Sequence, residues 1–348
     1  MAAPARIAAV ATAVPEHVLH QDEVVVRAAE IFAPGVPDFD RFVPVYSNAA
    51  VATRHSCVPV EWYSEPHTFS ERNALYIHNA VELLEQAAER ALAAAKLTPA
   101  EIDALVIVST TGVATPSLDA LLLDRMSFRR DVQRLPVFGL GCAGGVTGIA
   151  RAAQLARSRP DTTVLLLVVE LCGLTFRVND ISKSNIIATA LFGDGAAGLV
   201  LGCGAEGPAV SDWGEHTWPQ SLDVMGWRIA DDGLGILFSR DIPNLVRTQY
   251  GAVASAFLAR LGLSFDDVTA HICHPGGAKV LDALEQVYGL APGALAVSRA
   301  VLRDYGNMSA ATVLFVLERT LAEEPSGPLL MSAFGPGFTA SFALLEAG

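Results

Sequence analysis

The sequence contains few cysteines, few basic residues and no long hydrophobic run, and each shortage excludes a class of protein. The five cysteines (57, 142, 172, 203 and 273) are odd in number and widely scattered, and no two of them form a C-x-x-C pair. This cysteine usage predicts neither a disulfide framework nor a zinc site. It fits the reducing environment of the cytoplasm, where we expect the protein to work.

Acidic residues outnumber basic ones. Thirty-seven Asp and Glu residues oppose 24 Lys and Arg residues, which gives a formal net charge of −13. Such a charge disfavours nucleic acid and anionic membrane surfaces as partners. The apolar stretch from Ile7 to Val14 is closed by Pro15 and is too short to span a membrane, so we interpret it as a first strand rather than as a signal segment.

Strand-like and helix-like patterns alternate along the chain, which is typical of an α/β fold. The strands predicted in the first half are residues 7–14, 104–109, 135–140 and 163–171. A long helix is expected from Ser70, as its N-cap, to Lys96, and a short helix from Pro116 to Met126. Residues 192–195, Phe-Gly-Asp-Gly, are predicted to form a hairpin-like turn between two strands.

The second half repeats the order of the first. Residues 268–273 resemble strand 104–109, residues 305–312 with the helix that follows to Glu323 resemble the turn and helix at 141–156, and residues 329–334 resemble strand 164–171. We therefore predict two similar halves, residues 1–204 and 205–348, divided where Gly, Glu and Pro cluster at 202–208. Equivalent turns of the two halves should meet at their junction and form a site.

The segment Val137–Ile149 (VFGLGCAGGVTGI) carries the first candidate for chemistry. Its apolar beginning predicts a strand and the pattern after Val146 predicts a helix, so Cys142 falls at a strand-to-helix turn. Unpaired backbone N–H groups and the positive end of the helix dipole favour a thiolate there. The flanking glycines leave the sulfur uncovered. The alternative interpretation is a buried packing cysteine.

Two residues of the second half lie at comparable turns. His274 ends a predicted strand in His-Pro-Gly-Gly, and Asn307 takes the helix-start position that parallels Cys142. His274 can hold Cys142 as the thiolate, and His274 and Asn307 can donate hydrogen bonds to the enolate that forms when a malonyl group loses carbon dioxide. Alone, His274 could cap the next helix and Asn307 could be an ordinary N-cap. Their occurrence together with Cys142 favours catalysis on thioesters.

Five segments carry a family resemblance: Gly141–Gly145 (GCAGG), Ala190–Ala196 (ALFGDGA), His274–Gly277 (HPGG), Tyr305–Ser309 (YGNMS) and Phe334–Gly337 (FGPG). In order and over nearly the whole chain they resemble type III polyketide synthases, the chalcone-synthase-like branch of the thiolase superfamily. The resemblance implies a thiolase-like αβαβα layered fold, a homodimer, acyl-CoA and malonyl-CoA as substrates, and no metal or redox cofactor. It also implies that Cys142 carries the acyl group, that His274 and Asn307 drive decarboxylative condensation, and that Phe192 lies beside the thiolate.

The resemblance assigns further positions to the substrate site. Those expected to line the cavity are Phe192, Ile236, Cys172, Thr110, Thr175 and Ser309. Ile236 replaces an aromatic gatekeeper of plant members and Cys172 replaces a threonine, while Thr115 takes the place of a methionine that crosses the dimer interface. Of the basic residues that meet the coenzyme A phosphates only Arg41 is aligned, and Arg54 lies close to it in sequence.

These departures favour an aliphatic starter. Ile236 opens space where an aromatic ring would lie, and Cys172 offers nothing to a phenolic hydroxyl group. The helix carrying Tyr76–Asn79 also resembles bacterial synthases of alkylpyrones and alkylresorcinols. We expect a medium- or long-chain fatty acyl group to be loaded on Cys142, extended with malonyl-CoA and cyclised. The open alternatives are a malonyl- or aryl-primed synthase, a ketoacyl synthase III that performs one condensation, and a non-catalytic thiolase-fold binding subunit.

Overall fold

The structure is a computed structural model that describes residues 3–159 and 161–348. The strands are β1 Ala5–Ala13, β2 His17–His20, β3 Thr53–Ser56, β4 Ala104–Val108, β5 Gln133–Val137, β6 Thr163–Leu171, β7 Asp194–Gly202, β8 Ala209–Thr217, β9 Met225–Ala230, β10 Gly233–Phe238, β11 Ala270–Cys273, β12 Gly327–Gly335 and β13 Thr339–Ala347. Nine of them form a mixed sheet in the order β11-β12-β13-β8-β1-β7-β6-β4-β5. Two short antiparallel pairs, β2 with β3 and β9 with β10, lie outside it.

The same pairing pattern occurs twice in the large sheet. In the first half β1 pairs antiparallel with β7, β7 antiparallel with β6, and β6 parallel with β4. In the second half β8, β13, β12 and β11 repeat this sequence of directions. The two sets are joined where Ala5 and Arg6 pair with Val210 and Ala209. The predicted repetition is therefore seen in the strand topology, while the division at 204/205 stays a prediction.

The helices form three layers around the strands. They are α1 Gln21–Phe32, α2 Val43–Asn48, α3 Phe69–Ala95, α4 Leu118–Leu123, α5 Gly144–Ala156, α6 Lys183–Leu191, α7 Ile242–Leu245, α8 Gly251–Arg260, α9 Ala278–Tyr288, α10 Ala296–Tyr305 and α11 Thr312–Leu321. Helix α3 packs on β1, β6 and β7, and α5 and α11 contact strands of both halves. Phe257 of α8 stacks on Phe342 of β13, which places α8 outside the second set of strands.

Composition explains why α5 and α11 occupy the middle layer. Ten of the thirteen residues of α5 are buried, and most are Gly, Ala or a branched aliphatic residue. A helix that is apolar on nearly all sides is stable only when it is covered on all sides. The apolar core accordingly divides into one cluster between the two sets of strands and one on each outer side. The predicted αβαβα layering is confirmed.

Two predicted strand features are wrong. Residues 135–140 do not form a buried strand, because β5 ends at Val137, pairs only with β4 and lies at the sheet edge, where Leu135 is 36% exposed. Residues 192–195 do not form a hairpin-like turn, because Ile186–Leu191 belongs to helix α6. A short apolar run does not distinguish a buried strand from a buried helix. The signal for the helix is Ser182, whose hydroxyl caps the backbone N–H of Asn185.

Helix ends also differ from the predictions. The long helix begins at Phe69 rather than after Ser70, because Thr68 is the N-cap and forms a capping box with Glu71. The helix predicted from Pro116 to Met126 is limited to Leu118–Leu123, after Ser117. Strand β6 has the predicted bounds. Among the described residues, none of the helices has both the length and the apolar composition needed to cross a membrane.

Candidate active site

Three turns from the two halves meet in one cavity. Cys142 lies in a 3₁₀ turn at Gly141–Ala143 just before α5, His274 follows β11, and Asn307 precedes the turn that starts α11. The cavity and its open mouth together hold an empty volume of about 680 Å³. It is lined by Gly141, Cys142, Cys172, Phe192, Met225, Gly226, Trp227, Ile236, Leu237, Phe238, Ile242, His274, Gly276, Val280, Asn307, Ser309, Phe334 and Pro336. The thiol, imidazole and amide named from the sequence are therefore together.

The turn that carries Cys142 depends on glycine. Gly141 has φ +47° in the left-handed region, and a Cβ atom there would lie 2.6 Å from the Cδ atom of Pro336. Its N–H donates to the Thr110 hydroxyl oxygen at 3.2 Å. Because only glycine combines this φ with such a close neighbour at no steric cost, the turn presents Cys142 to the cavity in a fixed position.

The Asn307 amide is oriented by its surroundings. Its Oδ1 atom accepts the backbone N–H of Ser309 at 2.8 Å and lies 4.0 Å from the Cys142 Sγ atom. The Nδ2 atom makes only a long contact, 3.5 Å, with the Gly276 carbonyl oxygen. The side-chain oxygen is thus held by the backbone, and the N–H₂ group is the part that can donate to a substrate oxygen.

His274 is buried without a side-chain partner. Its side chain is 3% exposed and neither ring nitrogen has a hydrogen-bond partner among the described residues. The backbone fixes it instead, since its N–H donates to the Ser332 carbonyl oxygen at 2.8 Å. Burial lowers the pKa of His274 to about 3, so the ring is neutral in the empty cavity.

Burial disfavours the thiolate form of Cys142, whereas its position at a helix start favours that form. It raises the pKa of Cys142 to about 12; the negative charge of Glu170 adds to this rise, while hydrogen bonds from Ser309 and Asn307 counteract it. The thiol and the imidazole are therefore each driven toward the neutral form by desolvation.

A buried carboxyl beside the thiol was missed by the sequence analysis. Glu170 is 0% exposed and accepts hydrogen bonds from the Thr110 N–H at 3.0 Å, the Thr111 hydroxyl at 2.9 Å and the Ser309 hydroxyl at 3.3 Å. Burial raises its pKa to about 7. The sequence does contain a signal, because Glu170 is a single acid in the apolar run of β6.

Two predicted substrate residues occupy other places. Thr110 lies beneath the Cys142 turn, where it accepts from Gly141, and it does not line the cavity among the described contacts. Thr175 lines a second, adjoining pocket instead. Ser309 does line the cavity. The structure thus places Thr110 as a support of the Cys142 turn, and its contact with substrate stays a prediction.

The adjoining pocket shares a wall with the cavity. Cys172, Phe192 and Ile236 line both spaces. The second pocket encloses an empty volume of about 670 Å³. Its other lining residues are mostly apolar: Leu19, Val24, Arg27, Ala28, Ile31, Phe32, Arg54, Val60, Tyr63, Gly173, Thr175, Phe176, Asn185, Ala188 and Thr189.

A bulky wall residue was also missed. Trp227 of β9 lines the cavity, and its ring meets that of Phe192 edge-on with centroids 6.4 Å apart. The β9–β10 pair places it opposite Ile236. A tryptophan at this point reduces the space that the smaller Ile236 leaves open. The sequence analysis singled out only the Ile236 strand, because a lone Trp outside a motif carries no site signal.

The two arginines assigned to coenzyme A differ in exposure. Arg54 is 3% exposed and donates to backbone carbonyls of α6, so its guanidinium is not available to a phosphate group, and that assignment is corrected. Arg41 is 82% exposed and 3.4 Å from Asp38, and its role stays a prediction. In the described part of the chain no three His, Cys, Asp or Glu side chains are grouped as metal ligands.

Comparisons with known proteins agree with this geometry. The profiles of the N-terminal and C-terminal domains of chalcone and stilbene synthases match residues 47–205 and 214–347. The chain is 42% identical to the 1,3,6,8-tetrahydroxynaphthalene synthase of Streptomyces peucetius subsp. caesius, covering 98% of this chain and 92% of that one. It is 36% identical to a putative chalcone synthase of Bacillus subtilis (strain 168), covering 98% of each.

A solved structure extends the comparison to the fold. The 1,3,6,8-tetrahydroxynaphthalene synthase from Streptomyces coelicolor A3(2), a bacterial type III polyketide synthase, matches with a TM-score of 0.94 and 29% identity over 98% of this chain and 99% of that chain. With both domain profiles matched as well, the chain belongs to the chalcone and stilbene synthase family of type III polyketide synthases, acyltransferases that catalyse decarboxylative condensation.

Proposed function

We propose that Cys142 is the acyl-carrying nucleophile and that His274 and Asn307 are the decarboxylation residues of this synthase. The observation that carries the proposal is their convergence in one enclosed cavity, with the Cys142 Sγ atom 4.0 Å from Asn307 Oδ1. Neutral His274 can accept the thiol proton, because neither ring nitrogen has another partner among the described residues. The protein needs no metal or redox cofactor for these steps.

The reaction proceeds in two stages. Cys142 attacks the carbonyl carbon of an acyl-CoA, its proton passes to His274, and coenzyme A leaves as the thiol after taking that proton. Malonyl-CoA then loses its carboxylate as carbon dioxide, and the enolate oxygen receives hydrogen bonds from Asn307 Nδ2 and His274. The enolate carbon attacks the acyl thioester, and Cys142 is released as the thiolate.

The starter we propose is a medium- or long-chain fatty acyl group. The apolar pocket beyond Cys172, Phe192 and Ile236 supports this choice, because it shares these three wall residues with the cavity that contains Cys142. Burying a chain there gains roughly 0.8 kcal/mol per methylene group. A tri- or tetraketide built on such a starter would cyclise as an alkylpyrone or an alkylresorcinol.

A malonyl-primed synthase is the second candidate. It is favoured by the similarity to the tetrahydroxynaphthalene synthase of Streptomyces peucetius subsp. caesius, at 42% identity. Trp227 also supports it, because its ring narrows the cavity beside Phe192 and leaves less room for a bulky starter. An aryl-primed synthase has less support, since the shared wall offers no polar partner to a phenolic hydroxyl group.

Steady-state kinetics with acyl-CoA primers of increasing length decide between these starters. We expect kcat/KM to rise with chain length and to exceed the values for malonyl-CoA and aryl-CoA primers. Ile236→Phe should shift the optimum toward shorter chains, because it fills the shared wall. Ile229→Phe is the matched control, since Ile229 is 78% exposed on the paired strand. A malonyl-only product, or an unchanged profile in Ile236→Phe, would refute the fatty acyl starter.

We also propose that the protein is a homodimer that works in the cytoplasm. Strand β5 has a free edge, and next to it Phe138 is 62% exposed while Leu135 is 36% exposed. A strand edge with exposed apolar side chains is typical of a surface that binds a second chain. Light scattering after size exclusion should give twice the chain mass, and Phe138→Asp should weaken association.

Release of a product after several extensions would exclude a ketoacyl synthase III.

A further inference from the structure

Arg54 is a buried cation whose positive charge faces carbonyl oxygens at the end of a helix. It is 3% exposed, and no carboxylate pairs with it among the described residues. Its Nη1 atom donates to the Thr189 and Phe192 carbonyl oxygens at 2.6 and 3.3 Å, and its Nη2 atom donates to the Ala190 carbonyl oxygen at 3.2 Å and to the Gln21 side chain. Burial lowers the pKa of Arg54 to about 10, so it remains charged at neutral pH.

Two of the carbonyl acceptors, Thr189 and Ala190, belong to the last turn of α6, which ends at Leu191, and the third, Phe192, directly follows the helix. The final carbonyl groups of a helix have no intrahelical partner and carry the negative end of the helix dipole. A guanidinium group supplies several donors in a fixed fork, so it can hold three carbonyl groups at once. Arg54 therefore fixes the position at which α6 stops and Phe192 begins.

The same helix end is bonded to the candidate decarboxylation residue. The Leu191 carbonyl oxygen accepts the Asn307 N–H at 2.7 Å, and the Gly193 N–H donates to the Asn307 carbonyl oxygen at 3.1 Å. Phe192 and Asn307 thus pair as a short parallel bridge. Phe192 also lines the cavity. A displacement of the α6 end would move the wall ring and the Asn307 backbone together.

We propose that Arg54 is a positioning residue that sets Asn307 and Phe192 through the end of α6. The proposal rests on the proposed role of Asn307 in decarboxylation. Arg54 acts through two sets of hydrogen bonds. It donates to three carbonyl groups at the end of α6, and two backbone hydrogen bonds join that end to Asn307. A misplacement of about 1 Å can cost roughly 10²-fold in rate. Removing the Arg54 guanidinium group should therefore slow decarboxylation, although Arg54 itself does not contact the substrate.

The experiment compares loading with decarboxylation. In Arg54→Ala we expect kcat for malonyl decarboxylation to fall about 10- to 100-fold, with acylation of Cys142 reduced much less and KM for malonyl-CoA nearly unchanged. Added guanidinium should restore part of the rate, because the vacated space borders the apolar pocket. The decarboxylation rate of Arg54→Lys should lie between those of the wild type and Arg54→Ala, since lysine retains the charge but lacks the forked set of donors.

Two comparisons separate this role from phosphate binding. The decrease should be equal for malonyl-CoA and for malonyl-N-acetylcysteamine, which has no phosphate groups; a loss confined to malonyl-CoA would overturn the proposal. Arg90→Met is the matched control, because Arg90 also donates to one backbone carbonyl, that of Thr12 at 2.6 Å, but is exposed. We expect it to retain the wild-type decarboxylation rate.

Gln21→Ala covers the case in which Arg54→Ala does not fold. Gln21 Nε2 donates to the Ala190 carbonyl oxygen at 3.1 Å, so its loss should produce the same split on a smaller scale, about two- to fivefold. Asn307→Ala is measured in parallel. If Asn307→Ala keeps full decarboxylation, the proposed function fails; if it loses decarboxylation while the Arg54 and Gln21 variants do not, only the positioning role is overturned.

Discussion

The Cys142 Sγ atom lies 4.0 Å from the Asn307 Oδ1 atom, although 165 residues separate them in the chain. Each residue stands at the start of a middle-layer helix, α5 or α11, and each of those helices belongs to a different half. The candidate acyl carrier and the candidate enolate donor therefore come together only through the packing of the two halves. This arrangement allows loading and decarboxylation to be disabled separately.

Cys142→Ala should abolish condensation, because the other cysteines are unsuited to carry the acyl group. Cys57, Cys203 and Cys273 are not among the residues that line the cavity, and Cys172, which does line it, is not followed by an α-helix as Cys142 is. Peptide mapping after incubation with an acyl-CoA should find the acyl group on Cys142 alone. An acylated peptide from any other cysteine would contradict the assignment.

Asn307→Ala should separate extension from loading. Malonyl decarboxylation is expected to fall about 10²–10³-fold, the usual loss for one oxyanion donor, while Cys142 is still acylated. The measurement is carbon dioxide release from malonyl-CoA beside a single-turnover acylation assay. Wild-type decarboxylation in this variant would remove Asn307 from the mechanism.

His274→Ala should make Cys142 behave as an isolated buried thiol. If Cys142 transfers its proton to the imidazole as proposed, this transfer should offset the rise in the Cys142 pKa that burial causes, and alkylation by iodoacetamide should proceed below pH 8 in the wild type. In His274→Ala the alkylation rate should keep rising toward pH 12, and at pH 7 it should be at least about tenfold lower than in the wild type. Superimposable pH profiles for the two proteins would exclude a Cys142–His274 proton pair.

Glu170→Gln should change how stability depends on pH. Burial raises the pKa of Glu170 from 4.5 to about 7, so between these values the folded protein holds a proton that the unfolded chain releases. This contribution to stability is full below pH 4.5 and is lost as pH rises to about 7, by roughly 1–3 kcal/mol. The lowered pKa of His274 acts in the opposite direction, but it is common to both proteins.

Urea unfolding at pH 5 and at pH 7.5 measures that difference. Relative to the variant, the wild type should be more stable at pH 5 than at pH 7.5. Glu16→Gln provides the control, since the Glu16 side chain is 88% exposed and should not alter the comparison. An equal gap at both pH values would show that Glu170 has an ordinary pKa.

The sequence predicted the architecture and the convergence of Cys142, His274 and Asn307 in one cavity, because both follow from local patterns. Glycine-rich turns before helices identified Cys142, and the repeated order of strands and helices indicated where Asn307 would lie. Strand β6 was predicted with its observed bounds because eight of its nine residues are apolar or β-branched and only Glu170 interrupts the run, which leaves few alternatives.

What the sequence did not predict depends on contacts between distant segments. The exposure of β5 arises because it has only one neighbouring strand, which no pattern within the strand records. Arg54 was expected to bind phosphate, since a basic residue near Arg41 carries no mark of burial; its acceptors lie 135 to 138 residues away. Trp227 faces the cavity for the same kind of reason, through its pairing with Ile236.

The middle layer also limits how this enzyme can diversify. Gly145 of α5 lies so close to the turn before α11 that an added methyl group would collide with the backbone of Ala310, the residue after Ser309. A larger residue there would push the two helix starts apart and displace the nucleophile and the amide in the same event. Natural variation in product is therefore expected to accumulate in the β9–β10 wall and the side pocket, which can change shape while the reactive centre keeps its geometry.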